Sequence, residues 1–187
     1  MYESHFGIER SPFQLTPDPW FYFDSRGHHQ ALSALRQGCG EGRAFVVVSG
    51  EIGSGKTMVV RSRLDEFDGS VKVGYIANTQ LTVDELRQAV AAAFSLAQAE
   101  SSVAVWETDF TDFLGSLQVD GRRAVLIIDE AQHLDRDCMV LLECLVQCAT
   151  LFCTYSAEAA SAAFARVTLA RMSDARAVQM NGLGSML

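Results

Sequence analysis

The sequence predicts a three-layer α/β/α fold in which a mostly parallel sheet lies between two layers of helices. Three short segments rich in apolar and β-branched residues predict its strands, at 44–49, 71–77 and 123–128. Segments with helical periodicity separate these strands along the chain, and such alternation produces right-handed crossovers between parallel strands. A length of 187 residues suits one domain of this kind.

Composition excludes several other classes of protein. Hydrophobic residues make up 49% of the chain and proline occupies only 3 positions, which excludes a disordered or collagen-like chain. The formal net charge of -8 weighs against a dedicated duplex-binding protein, because such a protein needs a basic face toward the phosphates. The sequence therefore carries no strong nucleic-acid signal.

The location is predicted from apolar runs and cysteine spacing. No apolar run reaches the roughly 18 residues that cross a bilayer, and the first residues lack the cationic and apolar regions of a signal peptide. We expect a cytoplasmic protein with no membrane span in this chain. The 5 cysteines show no zinc-ligand spacing, so we expect reduced thiols that are buried as small apolar groups.

Residues 1–43 are predicted to form an N-terminal arm followed by a short helix. All 3 prolines and many aromatic residues fall within the first 25 positions, which is typical of an extended segment with rings that need a partner. Those rings either pack on the core or form a platform for an adenine base. The helix is predicted over 28–37, where the glycines that follow would end it.

The remaining helices follow the strands in order. One is predicted from Lys56 to about Phe67. Thr82 and Glu85 have the spacing of a capping box, which predicts the start of a second helix. A third is predicted over 106–117, with aromatic and leucine side chains on one face.

A phosphate-loop pattern, GxxxxGK followed by Ser or Thr, occurs between the first predicted strand and the next helix. It is formed by Gly50, Glu51, Ile52, Gly53, Ser54, Gly55, Lys56 and Thr57. The backbone N–H groups and the helix N-terminus are expected to bind phosphates, with Lys56 at the β- and γ-phosphate oxygens. Thr57 is expected to place its hydroxyl on Mg²⁺. The predicted ligands are therefore ATP and Mg²⁺.

Two carboxylates, Asp129 and Glu130, follow the apolar strand 123–128. Asp129 is expected to hold Mg²⁺ through water, and Glu130 to polarise the water that attacks the γ-phosphate. The strand 71–77 lies between the two motifs along the chain, which favours a P-loop NTPase of RecA/AAA-like type with motif-bearing strands that are not consecutive.

Histidines are a weaker signal. His28, His29 and His133 lack the spacing of metal ligands, so we expect them at the surface or as helix caps.

Three stretches resemble ATPases of the ExeA/GspA type, which serve the bacterial general secretion pathway within the AAA superfamily. They are 2–32, with His-Phe-Gly and Thr-Pro-Asp-Pro, then 49–57 and 128–134. The resemblance implies that the arm packs near the adenine and that the motif residues have the roles given above. It also implies that Gln132 helps to sense the γ-phosphate.

The resemblance stops after Leu134. The family continues with a sensor strand and an arginine-bearing lid, and nothing here matches either segment. Residues 138–180 contain no Gly, Pro or Asn, so only a helix over 135–149 is predicted there. We therefore expect the arm and helix at 1–43, a P-loop ATPase core at 44–135, and a diverged helical or irregular tail at 136–187 that leaves the sheet incomplete.

Two functional interpretations stay open. The first is a Mg²⁺-dependent ATP-binding and ATP-hydrolysing domain, which by resemblance serves assembly of a general secretion (type II) or related cell-envelope export system. It implies self-association or a secretion-complex partner at the cytoplasmic face of the inner membrane. The alternatives are a non-catalytic nucleotide-binding fragment or adaptor, and a transposition-helper-like ATPase. Missing C-terminal elements are expected to slow hydrolysis.

Overall fold

The computed structural model describes residues 2–11, 19–41, 45–63, 69–96, 103–146, 149–156 and 176–180. Within these ranges the helices are α1 (Tyr2–Phe6), α2 (Arg26–Glu41), α3 (Lys56–Arg63), α4 (Val83–Phe94), α5 (Val103–Val119) and α6 (Arg136–Val146). The strands are β1 (Phe45–Gly50), β2 (Val71–Ile76), β3 (Arg123–Ile128), β4 (Thr150–Ser156) and β5 (Arg176–Met180). Two 3₁₀ turns lie at Pro19–Phe21 and Ala131–His133.

The strands form one parallel sheet in the order β2-β3-β4-β1-β5. Strand β4 separates β1 from β3, so the two strands that precede the sequence motifs are neither consecutive nor adjacent. The predicted α/β fold with a parallel sheet of RecA/AAA-like order is thereby confirmed.

The two faces of the sheet bury different sets of helices. On β1, Val46 and Val48 belong to an apolar cluster with α2 and α3, whereas Phe45 and Val47 belong to one with α4, α5 and α6. Alternate residues of a strand point to opposite faces, so the apolar run of β1 supplies both clusters. This arrangement is the predicted set of three layers.

The C-terminal part of the prediction requires a correction. Residues 136–187, expected to be helical or irregular, contain β4 and β5 as well as α6, and β4 fills the position between β1 and β3. Two of the five strands of the described sheet therefore come from this region. Strand β4 is almost wholly buried, with Phe152 and Cys153 both at 0% exposure. No Gly, Pro or Asn marks the ends of β4 in the sequence, whereas glycines lie beside the equally buried strands β1 and β3.

Several local predictions are also settled. The capping box at α4 is confirmed: the Thr82 hydroxyl accepts from the Glu85 N–H, and the Glu85 carboxylate accepts from the Thr82 N–H at 2.7 Å. Helix α2 continues through Gly38, where a stop was expected. A Cβ at Gly38 would lie 2.7 Å from Cγ2 of Val46, so this glycine lets the helix approach β1 closely.

The structure agrees in part with what the sequence predicts for the cysteines and for the N-terminal arm. Cys138 and Cys153 are buried thiols as expected, and burial raises the pKa of Cys138 to about 12, whereas Cys144 is exposed. The arm begins with the short helix α1 rather than extended backbone, and its residues 12–18 lie outside the described ranges. Among the described helices, none is long and apolar enough to cross a membrane.

Candidate nucleotide-binding site

The phosphate-loop segment connects the end of β1 to the start of α3, as its sequence predicts. Gly53 and Gly55 have φ angles of 80° and 86°, in the region that favours glycine. A Cβ at Gly50 would lie 2.7 Å from the carbonyl oxygen of Met180 at the end of β5. Each fixed glycine of the motif is therefore required by the backbone around it.

Lys56 is folded into this loop. Its side chain is 6% exposed, and Nζ donates to the carbonyl oxygens of Gly50 at 3.0 Å and Glu51 at 2.8 Å. Glu51 and Ile52 themselves are exposed at the tip of the loop, and Thr57 is half-buried in the first turn of α3. The loop thus brings a buried positive charge close to the helix N-terminus.

Ser54 supplies an unpaired polar atom inside the loop. Its backbone N–H donates to the carbonyl oxygen of Glu51 at 3.2 Å, but its hydroxyl is buried and has no hydrogen-bond partner among the described residues. Leaving a buried hydroxyl unpaired costs about 1–3 kcal/mol. The loop therefore fits a ligand that brings oxygen acceptors, as a phosphate does.

Asp129 lies at the end of β3 and is 3% exposed. The hydroxyl of Thr154, on β4, donates to its Oδ1, and the hydroxyl of Tyr75, on β2, donates to its Oδ2 at 3.0 Å. Its backbone N–H donates to the carbonyl oxygen of Ile76 at 2.9 Å. The two neighbouring strands therefore fix the orientation of this carboxylate.

Tyr75 is itself held by a cation. Arg61 Nε, on α3, donates to the Tyr75 hydroxyl oxygen at 3.4 Å, and the guanidinium lies 5.7 Å from the ring centroid. Burial raises the pKa of Tyr75, and the negative charge of Asp129 acts in the same direction. The phenol therefore keeps its proton and stays a donor to Asp129.

Glu130 adopts a left-handed backbone conformation, with φ 55° and ψ 42°. This region is uncommon for residues other than glycine and persists where surrounding contacts impose it. Here the Glu130 N–H donates to the Thr154 hydroxyl at 3.2 Å, and its carbonyl oxygen accepts from the Thr79 hydroxyl at 2.6 Å.

Gln132 connects the Glu130 side chain to β4. Its Nε2 donates to the carboxylate of Glu130, while its Oε1 accepts from the backbone N–H of Ser156 at 3.2 Å. The Glu130 carboxylate is therefore oriented by an amide that is itself fixed to the sheet.

The two motifs meet at one edge of the sheet, because carboxyl ends of parallel strands lie together. Thr57 and Asp129 offer oxygen donors of the kind that Mg²⁺ prefers. In the described part of the chain, no group of three His, Cys, Asp or Glu side chains could hold a metal ion.

Some contacts of the site were not predicted. Thr154 lies on β4, the strand that the sequence did not reveal, and Tyr75 and Thr79 belong to no recognisable sequence motif. The pattern of apolar and hydroxyl residues at 151–156 is the signal that could have revealed β4.

Of the histidines, His29 and His133 are exposed as expected, whereas Nε2 of His28 lies 3.0 Å from the carbonyl oxygen of Ser54 in the loop.

Comparison with known proteins identifies the family. A family model described as an AAA domain matches residues 38–169. This chain belongs to the AAA domain family. General secretion pathway protein A of Aeromonas hydrophila is 34% identical to this AAA domain over 135 residues, 72% of the chain and 25% of that protein. The chain thus spans about a quarter of this relative, and the resemblance noted in the sequence is confirmed.

Solved structures share the fold at low identity. Cdc6p from Pyrobaculum aerophilum aligns with a TM-score of 0.61 at 13% identity, covering 94% of the AAA domain chain and 48% of its own. The Aeropyrum pernix ORC2 protein, in its ADPNP-ADP complexes, aligns with a TM-score of 0.57 at 14% identity, covering 83% and 46%. At such identities the alignments establish the AAA fold alone.

Proposed function

We propose that this AAA domain binds ATP with Mg²⁺ and hydrolyses it. The observation that carries the proposal is the complete phosphate loop with Lys56 folded into it, at the sheet edge where Asp129 and Glu130 end β3. A phosphate loop alone would bind many phosphate-containing ligands. The buried carboxylate of Asp129 and the oriented carboxylate of Glu130 add the acidic groups that phosphoryl transfer requires.

The loop and Lys56 bind the phosphates. Lys56 Nζ donates to two neutral carbonyl oxygens, and exchanging them for anionic phosphate oxygens strengthens its hydrogen bonds. The unpaired hydroxyl of Ser54 and the N-terminus of α3 provide further donors to the same ligand.

Thr57 and Asp129 would hold Mg²⁺, which when bound neutralises charge on the β- and γ-phosphates. Asp129 has two oxygens with about four acceptor positions, of which Tyr75 and Thr154 use two. The remaining positions are available to the water shell of the ion.

Glu130 acts as the base that orients the attacking water. As the water oxygen forms a bond to the γ-phosphorus and the bond to the ADP oxygen breaks, the Glu130 carboxylate accepts the proton that the water loses. Gln132 positions the Glu130 carboxylate, and we propose that it also responds to the γ-phosphate.

The relative from Aeromonas hydrophila, General secretion pathway protein A, suggests the process in which such an activity is used. We propose that the domain supports a general secretion or related cell-envelope export complex, through self-association or a partner at the cytoplasmic face of the inner membrane. Cells in which Lys56→Ala replaces the parent allele are expected to retain exported proteins inside. Normal export in those cells would contradict this role.

The chain offers a matched control for the nucleotide-binding test, since it contains only two lysines, Lys56 and Lys72. A fluorescent ATP analogue is titrated into the parent, Lys56→Ala and Lys72→Ala, and phosphate release is measured with Mg²⁺ and with EDTA. Binding and turnover should disappear in Lys56→Ala and persist in Lys72→Ala on β2. Equal affinity of the parent and Lys56→Ala would contradict the proposal.

A further inference from the structure

His28 joins the segment before α2 to the phosphate loop. Its ring Nδ1 lies 2.7 Å from the carbonyl oxygen of Phe23, and its Nε2 lies 3.0 Å from the carbonyl oxygen of Ser54. The ring of Tyr22 is stacked on it, with centroids 5.3 Å apart and planes inclined by 22°. One half-buried side chain thus spans 26 residues of sequence between helix and loop.

The two contacts determine how many nitrogens of the His28 ring must carry a proton. A carbonyl oxygen only accepts hydrogen bonds, so each ring nitrogen of His28 must donate if both contacts are hydrogen bonds. Neutral imidazole has one N–H and one lone pair, and the lone pair would face an oxygen. The imidazolium form has two N–H groups and satisfies both carbonyls.

The contact with Ser54 also sets the orientation of a loop peptide. In a trans peptide the C=O and N–H groups point in opposite directions, so fastening the Ser54 carbonyl to His28 directs the Gly55 N–H away from α2. A Cβ at Gly55 would lie 2.6 Å from Nε2 of His28. The motif glycine therefore also makes room for the histidine.

We propose that His28, as an imidazolium, is a positioning residue for the phosphate loop. It holds the Ser54–Gly55 peptide in place and adds a positive charge beside the loop, which favours bound phosphates. The inference rests on the proposed nucleotide binding and deepens it. A neutral His28 ring loses one of the two contacts, so we expect weaker nucleotide binding with the neutral ring than with the imidazolium.

Other titratable groups lie on the elements around His28. They are Tyr22 and Asp24 in the preceding segment, Arg26 and His29 on α2, and Glu51 and Lys56 in the loop. Histidine is the residue type among these whose charge ordinarily changes between about pH 5 and 8. His29, which is exposed and lies 3.9 Å from Asp24, is therefore the matched control.

The test is a titration of a fluorescent ATP analogue with Mg²⁺ into the parent, His28→Gln and His29→Gln from about pH 5.5 to 8.5. At the acid end His28→Gln should bind about tenfold more weakly than the parent, and the two should converge at the alkaline end. His29→Gln should follow the parent throughout. Titration of the nucleotide phosphate is common to all three proteins and cancels in the comparison.

The outcomes separate this inference from the proposed function. A parent that binds no analogue at any pH contradicts both. A parent that binds, with a parallel profile for His28→Gln, contradicts only the role of His28. If circular dichroism shows that His28→Gln does not fold, the parent protein is studied by ¹⁵N-resolved NMR. Its nucleotide complex should show two ring N–H groups on His28 near neutral pH. A neutral tautomer of His28 would overturn the proposal.

Discussion

Thr154 donates its hydroxyl to the buried carboxylate of Asp129, which lies 25 residues earlier in the chain. The same hydroxyl accepts from the backbone N–H of Glu130 at 3.2 Å. A single side chain of β4 therefore fixes both acidic residues at the end of β3. The strand that sequence motifs did not reveal is a structural part of the candidate site.

Thr154→Val keeps the shape of the side chain and removes this hydroxyl. It leaves a carboxylate oxygen and a backbone N–H without that partner, so we expect a loss of about 1–3 kcal/mol in the free energy of unfolding and slower phosphate release. Urea unfolding and steady-state phosphate release measure the two effects. Thr150→Val, the same change at the other end of β4, should leave turnover close to the parent. Equal turnover of the two variants would argue against the role of Thr154.

Tyr75→Phe removes one of the two hydroxyl donors to Asp129 while keeping the aromatic ring. The carboxylate then has more orientational freedom, so we expect a higher Mg²⁺ concentration for half-maximal phosphate release and little change in ATP binding without metal. A Mg²⁺ titration at saturating ATP gives the result. Tyr22→Phe is the control, because the Tyr22 hydroxyl bonds Asp24 instead. An unchanged Mg²⁺ requirement would show that Thr154 alone suffices.

Glu130→Gln should separate binding from hydrolysis. The amide preserves size and loses the charge that polarises water, so nucleotide affinity should persist while phosphate release falls by about 10²-fold or more. Glu107→Gln makes the same change at an exposed position on α5, away from the site, and should hydrolyse ATP like the parent. Parental turnover in Glu130→Gln would make this carboxylate structural.

Gly38→Ala tests how closely α2 packs on β1. The new Cβ would lie 2.7 Å from Cγ2 of Val46, so we expect destabilisation by about 1–3 kcal/mol from overpacking. Gly40→Ala, two residues later in the same helix, meets nothing within 4 Å and should be neutral or stabilising by about 0.4–1 kcal/mol. Thermal unfolding of both variants gives the comparison. Equal melting temperatures of the two variants would show that α2 and β1 can separate enough to accommodate the new methyl group.

Glu85 gives a pH-dependent prediction. The backbone N–H and the hydroxyl of Thr82 hold the pKa of Glu85 below its ordinary value of 4.5. A lowered folded-state pKa means that its stabilisation is complete above the unfolded-state value and is lost as pH falls through the folded-state value. Glu85→Ala should therefore melt below the parent at pH 7, with the difference shrinking under acid conditions.

An exposed glutamate elsewhere serves as the control for this measurement. Glu107→Ala on α5 makes the same change outside a capping box and gives the reference for the loss of an exposed carboxylate. A pH-independent difference for Glu85→Ala would show that the carboxylate contributes nothing through the cap.

The sequence by itself determined the features that depend on neighbouring residues. The phosphate loop requires glycines at Gly53 and Gly55 because the backbone there has positive φ, and the capping box at Thr82 and Glu85 closes over three residues. Such short-range sterics and hydrogen bonds need no knowledge of the rest of the fold. The alternation of strands and helices, and with it the three layers, follows from periodicity in the same way.

The tertiary structure alone decided which distant residues meet. Strand order, which buries the whole sheet, brings Thr154 to Asp129, and the packing of α2 on the sheet brings His28 to Ser54. Strand β4 was missed because no Gly, Pro or Asn marks its ends in the sequence, whereas glycines lie beside the buried strands β1 and β3. Helix α2 passes Gly38 because close packing on β1 outweighs the low helix propensity of glycine. Contacts across 25 or more residues depend on the packed core, which local pattern does not encode.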